Sequence, residues 1–470
     1  LYRARDELTA GAQGGSNGGA PAGTSAIDAQ IKEAQSDLAD ADAALQAASP
    51  NFGQLAQQVV PAAAVLAALH PHEALAAIML GPHSGWVFVL RDGQITAHKA
   101  DLDLARATVL VKTLRAGIEP TEALPAFNVA AARALYDKTL GTVAPALDGV
   151  QALVVAPSGP LLAFPFEVLL TGPADGAHLA DAPWLLRRFT ITHVPAPSNF
   201  VSLRKIAGGS RATKPWFGFG DFIPLKLAQA ERSFPGATCA ESARLLADLP
   251  QLPGARRELE AARSLLGAGA NDELLGAAFT VPSVEAAKLK DVRILHFAAH
   301  ALLPAELRCQ SEPAIVTSAP PGAVDASGAL LTASDVTGLD LDAELVILSA
   351  CNSGGPGGGV AGESLSGLAR AFFFAGARAL LVTHWSVNDQ IAAYLVADSL
   401  RRLHETPAAG IAGALRDAEL GLLAQAGHGL PAEVAHPFFW APFAVIGEGG
   451  AAAAGAKVAA RVSPEARAGL

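Results

Sequence analysis

Two short segments of this chain end in residues able to do covalent chemistry, and they share one layout. Arg293-Ile294-Leu295-His296-Phe297-Ala298-Ala299 runs into His300. Glu344-Leu345-Val346-Ile347-Leu348-Ser349-Ala350 runs into Cys351, followed by Asn352-Ser353-Gly354-Gly355. Both runs are apolar enough to be buried strands, and in open α/β sheets functional groups gather at the carboxyl ends of strands. If the two strands are neighbours, an imidazole and a thiol emerge side by side at one rim. A thiol is mostly protonated near neutral pH, and a nearby imidazole can take its proton or stabilise the thiolate. His300 is therefore the candidate general base and Cys351 the candidate nucleophile. The small residues after Cys351 leave room for a peptide backbone. The backbone N–H groups of Ala301 and Cys351 are candidate donors of an oxyanion hole. The competing reading is structural: a cysteine ending a buried strand can be a small hydrophobe, and a histidine beside it a satisfied donor.

The other reactive side chains are less telling. Cys239 and Cys309 lack a strand-end setting and are expected to be plain hydrophobes. With Cys351 they make an odd, sparse set, a poor disulfide framework that fits a reducing cytosol. No CxxC pair exists, and His70, His72 and His384 have no metal-ligand company, so no metal or cofactor is expected. Gly354 to Gly359 is glycine-rich but no GK[ST] follows, which leaves a mobile loop beside the site rather than a phosphate cradle. Asn388 or Asp389, between a strand and a helix, would make an N-cap. Glu363 opens a helix, where a carboxylate suits the dipole. Asp335 reads as a turn or cap residue rather than a third catalytic member, and no group that would orient His300 can be picked out.

The elements that must position these residues follow from periodicity. Trp86 to Leu90 and Gln94 to His98 flank Asp92-Gly93, a hairpin signal. Helical stretches run from Asp103 to Ala116 and from Val129 to Leu140. Strand-like runs are Leu153 to Ala156, Phe189 to Pro195, Trp216 to Gly220, Val292 to Ala298, Glu344 to Ser349 and Ala379 to Thr383, with helical segments between most of them. Apolar strands alternating with helices predict an α/β layered fold around a mainly parallel sheet. Phe372 to Phe374 belong to a helical run and are expected in the core. Gly11 to Ser25 reads as a flexible connector, and Ile27 to Leu45 carries apolar residues at helical spacing. Beyond Gly447 the Ala/Gly-rich stretch reads as a disordered tail.

Bulk properties narrow the function classes. The 470 residues are enough for two or three domains. Charged residues are 17% of the chain and the net charge is −10, with no Lys/Arg-rich run, which argues against a nucleic-acid binder. No apolar stretch of spanning length is free of charges, Pro or His, so no membrane span is expected. A secretory leader is not evident, which with the cysteine usage gives a cytoplasmic expectation. Residue 1 is Leu, so the chain is expected to be a piece of a longer product with a partner domain upstream.

Several motifs occur in order: VVAPSGPLLAFPFEVLL, RRFTITHVPAPS, LPGARRELEAARSLLG, ILHFAAHA, LVILSACNSG, GESLSGLARAFFFAGARALLVTHWSVND and HPFFWAPFAVIG. From about Phe52 to Gly447 the chain resembles the CHAT family, caspase-like domains often found behind tetratricopeptide repeats. The resemblance implies a layered α/β/α sandwich, with residues 61–200 a degenerate caspase-like lobe and residues 201–447 the protease lobe. It places His300 and Cys351 on the positions of a His-Cys dyad. It also implies that Asp389 lines the pocket for a basic side chain before the scissile bond, since a carboxylate there would pair bidentately with Arg. Glu363 is a further candidate substrate contact. The expected function is a cysteine endopeptidase acting on a protein after Arg, or else Lys, gated by an upstream tetratricopeptide-type sensor, in a bacterial defence setting. One departure is Ala301, where caspase-like folds often carry Gly; Ala is tolerated unless the backbone needs positive φ. The rival readings are an inactive peptide-binding pseudoprotease and an unrelated α/β hydrolase, the latter weakened by the absence of a GxSxG elbow.

Overall fold

The computed structural model describes residues 59–120, 123–205, 209–302, 309–351, 361–385 and 389–450, with only the backbone for 350–351, 361–366 and 389. The connector near residues 11–25, the helical spacing of 27–45, the glycine run 354–359 and the tail lie outside the described residues.

Among the described residues, thirteen strands make one sheet. The first half of the chain supplies β1 (Glu73–Leu80), β2 (Gly85–Arg91), β3 (Gln94–Ala100), β4 (Ala152–Ala156) and β5 (Thr190–His193). The second half supplies β6 (Lys214–Gly220), β7 (Glu273–Leu275), β8 (Val292–Leu302), β9 (Ala314–Val316), β10 (Leu330–Thr332), β11 (Leu345–Cys351), β12 (Ala379–Thr383) and β13 (Phe443–Gly447). Their order is β10-β9-β8-β11-β12-β13-β5-β4-β1-β2-β3, with β6 on β8 and β7 on β6. The central pairs β6–β8, β8–β11, β11–β12, β13–β5, β5–β4 and β4–β1 are parallel, and β12–β13 is antiparallel.

The helices that matter for the site are α1 (Leu104–Ala116), α2 (Ala240–Ala247), α3 (Pro253–Leu266), α4 (Ala361–Ala375), α5 (Asp389–Glu405) and α6 (Gly410–Gln425). They cover both faces of the sheet, and the strands show it. Along β8, Ile294 and Ala298 pack in one core with α1, α3, α5 and α6, while Leu295, Phe297 and Ala299 pack in the other with α2 and α4. The period of two therefore buries both faces, which is why these strands read as unbroken apolar runs. Phe372 and Phe373 of α4 are buried as expected, whereas Phe374 is only half-buried. Each such side chain contributes about 2 kcal/mol by leaving water. Pro253 opens α3 and Gly267 closes it in the left-handed region at φ 66°.

The structure is the expected α/β/α sandwich with a mainly parallel sheet. The Asp92-Gly93 hairpin is present between β2 and β3, with both turn residues at positive φ (48° and 74°). β1 and β13 were not evident in the sequence as strands. β1 is buried along most of its length, so it shows no alternation to distinguish it from the apolar helix just before it. Two strands also run further than their apolar runs: β8 continues through His300 to Leu302, and β11 through Cys351. The extension of β8 is held by β9, which pairs Ile315 with Ala301 and Ala314 with Leu302.

The cysteine expectation fails. Cys239 and Cys309 form a disulfide, with Cα atoms 5.8 Å apart across a sequence separation of 70. Sparse cysteines can still meet when the fold brings their backbones within bridging range. The bond removes the argument for a reducing compartment that cysteine usage had supplied.

Candidate active site

β8 and β11 are adjacent and parallel, as the site requires. Their register runs from Leu345↔Ile294 to Ser349↔Ala298, then slips so that Cys351 is level with Ala301. The backbone of Cys351 thus stands beside the residue that follows His300. Both parallel strands point the same way, so their ends share one rim.

His300 is buried, and its orientation is fixed. Its Nε2 lies 2.9 Å from the carbonyl oxygen of Pro250. A carbonyl can only accept, so Nε2 carries the proton and Nδ1 is the basic nitrogen of the neutral ring. The Phe222 ring meets the imidazole edge-on at 5.5 Å. Pro250 is the orienting group that the sequence did not disclose. Every residue has a carbonyl, so no residue type could have signalled it.

One layer below, three buried polar side chains pin the two strands to α3. Glu258 Oε1 of α3 lies 2.7 Å from His296 Nε2 and accepts from Ser349 Oγ at 2.5 Å. His296 is four residues before His300 on β8 and Ser349 two before Cys351 on β11, so the carboxylate ties both strands just beneath the rim. Trp216 closes the network edge-on at 6.1 Å from His296.

The third wall follows β12. His384 N–H donates to Pro442 O at 2.8 Å, and its own carbonyl accepts from Arg115 Nη2 of α1 at 3.1 Å. Arg115 Nη1 also donates to Ala163 O at 2.8 Å. Burial, then the neighbouring His193 and Arg115, push the His384 imidazole well below its usual range, so it is a neutral wall rather than a base. Asp389 is the first residue of α5 and Glu363 the third of α4, but their side chains lie outside the described residues. Asp335 is a cap: its carboxylate accepts from Thr332 N at 2.8 Å while Thr332 Oγ1 accepts from Asp335 N. Among the described residues, no three His, Cys, Asp or Glu side chains group as metal ligands. No helix among them is long and apolar enough to cross a membrane.

The layered architecture together with the family match identifies a caspase-like cysteine peptidase fold. The chain belongs to the CHAT domain family, whose profile matches residues 129–448. No curated protein sequence matches it. Among solved structures it is similar to two crystal structures of the Saccharomyces cerevisiae separase–securin complex, at 9% and 10% identity and TM-score 0.42 for each. These similarities cover 82% of this chain and 30% of that one, so the chain spans under a third of that relative's length. The Arg-specific cysteine proteinase gingipain R is similar at 10% identity and TM-score 0.36, over 74% of this chain and 75% of its own.

Proposed function

We propose that this protein is a cysteine endopeptidase in which Cys351 attacks and His300 shuttles the proton. One observation carries the reading: Cys351 ends β11 level with Ala301, the residue after an imidazole whose Nε2 is already committed to Pro250 O. Nδ1 then takes the thiol proton, and sulfur forms a bond to the scissile carbonyl carbon. The developing oxyanion is met by the backbone N–H groups of Cys351 and Ala301. Collapse breaks the C–N bond, and the imidazolium returns its proton to the leaving amine. Water, deprotonated by the same ring, hydrolyses the thioester and restores the thiol.

The substrate is a protein cut after Arg, or else Lys, with the Asp389 carboxylate at the floor of the pocket and Glu363 a secondary contact. A planar guanidinium is the better partner for a carboxylate because it can bond bidentately. Control comes from an upstream sensor, of the tetratricopeptide type that often accompanies this family.

The test is cleavage of a peptide library by the chain, with Cys351→Ala, His300→Ala and Asp389→Ala beside the wild type. The expected result is cleavage after Arg that Cys351→Ala and His300→Ala abolish, while Asp389→Ala loses the basic preference. Binding of peptides without cleavage would overturn the reading in favour of a pseudoprotease scaffold. Cleavage after acidic residues would remove Asp389 from the pocket.

A further inference from the structure

The corner that follows β6 is tightly packed. Gly220 pairs with Ala298 of β8, and a Cβ on Gly220 would come within 2.7 Å of the Ala298 carbonyl and 2.8 Å of Leu259. Beyond that point the same edge of β8 is taken by β9, so the chain must turn away. It does so at Asp221, a buried residue held at φ 55°, in the left-handed region that Asp tolerates better than most side chains. The next residue is Phe222, whose ring braces the His300 imidazole.

The Asp221 carboxylate then reaches across to the turn that carries Pro250. Oδ1 accepts from Gln251 Nε2 at 2.7 Å, and Oδ2 accepts from Arg256 Nε at 3.1 Å and from its Nη2. Gln251 is bonded in sequence to Pro250, and Arg256 lies in the first turn of α3. The carboxylate therefore ties down the side chain of Gln251, the residue that completes the Pro250 peptide, and the start of α3. Charge-assisted bonds from two donors to a buried carboxylate are the strong kind, and they hold position as well as energy. The carbonyl of that same peptide is the Pro250 oxygen that lies 2.9 Å from His300 Nε2.

We propose that Asp221 is a positioning residue for His300, acting through Gln251 and the Pro250 carbonyl to hold the imidazole in its Nε2–H tautomer. This rests on the peptidase reading for its consequence in catalysis, though not for its consequence in the tautomer. A backbone carbonyl orients a ring only as well as its own peptide is held, and Asp221 restrains that peptide through the Gln251 side chain. The left-handed φ and the packed glycine before it keep the carboxylate on this target and away from solvent.

The experiment uses the full chain and three variants: Asp221→Gly, which deletes the carboxylate without straining φ; Gln251→Met, which keeps length but cannot donate; and the double variant. Nitrogen NMR of the histidine rings, with His300→Gln to assign the signal, reads the tautomer. The wild type is expected to show a single Nε2–H form, and each variant a mixture of tautomers. On an Arg peptide, kcat is expected to fall about 10- to 100-fold with KM within about twofold. The double variant is expected to be no worse than the worse single one, because both cut the same link. A purely structural Asp221 would lower thermal stability and leave the tautomer and kcat alone, which overturns the proposal. If instead the tautomer shifts while Cys351→Ala leaves peptide cleavage intact, the positioning stands and the peptidase reading falls.

Discussion

Glu167 offers the sharpest quantitative test of the structure. It sits in the short turn Phe166–Val168, 3% exposed, with Oε2 3.7 Å from His193 Nε2 of β5. Glu419 of α6 is fully buried nearby. Glu167 Oε2, both Glu419 carboxyl oxygens and His384 Nε2 have no hydrogen-bond partner among the described residues. The approach of Glu167 to His193 resembles an ion pair, but burial drives both to their neutral forms. It pushes the Glu167 carboxyl up from 4.5 to about 8 and the His193 imidazole down from 6.5 to about 4. Glu419 is also held well above the usual range, by burial first and then by the Glu167 charge. For Glu167 the folded value exceeds the unfolded one, so its contribution is fully present below pH 4.5 and is lost as pH rises through 8. At about 1.4 kcal/mol per unit, keeping the carboxyl protonated costs roughly 3 kcal/mol by pH 7 and on the order of 5 kcal/mol above pH 8. Glu167→Gln needs no proton. It should therefore match the wild type within about 1 kcal/mol at pH 5 and exceed it by about 4 kcal/mol at pH 8. Urea unfolding of both proteins across that range measures the difference. His193 works in the opposite window, losing its contribution as pH falls from 6.5 towards 4, and should leave the acid limb unchanged in the variant. A Glu167→Gln protein with no more advantage at pH 8 than at pH 5 would show the carboxyl ionised and paired, and would refute the buried neutral cluster.

Other substitutions test the parts of the site one at a time. Arg115→Met removes both carbonyl contacts and the ion pair with Glu119, and should cost about 3 kcal/mol in urea unfolding while raising KM for an Arg peptide. Glu258→Ala leaves His296 and Ser349 buried without their shared acceptor, and should cost on the order of 3 kcal/mol and slow alkylation of Cys351. Cys239→Ser opens a loop spanning a sequence separation of 70 and should cost about 4 kcal/mol, a loss that reductant reproduces in the wild type and not in the variant.

How much of this was legible in the sequence differs by element, for physical reasons. The strands bearing His300 and Cys351 were legible because burial on both faces writes an unbroken apolar run. Their true ends were not, because β9 and the last residues of β11 extend the ladder past the point where the apolar run ends. The hairpin was legible because Asp-Gly is one of few pairs that accept two positive φ angles in succession. The Cys239–Cys309 bond was not, since pairing across 70 residues depends on where α2 and the chain after β8 come to lie. The roles of Pro250 and Asp221 were hidden for related reasons. One acts through a backbone carbonyl that any residue could supply, and the other through a turn whose partners lie 30 and 35 residues away.

The family resemblance implies two lobes, and the arrangement of strands bears on how the two halves of the chain meet. β13, the last strand, pairs antiparallel with β12 beside the site and parallel with β5 from the first half. One core joins Leu114 of α1 and Phe166 to Trp385, Leu395 and Phe443. Arg115 extends this join to the site itself, since a guanidinium from the first half holds the carbonyl of His384, five residues before Asp389. His384 is anchored from both halves, by its N–H bond to Pro442 O and by the Arg115 bond to its carbonyl. The first half of the chain therefore supports the end of β12, reaching it through α1 and through the strand that closes the sheet.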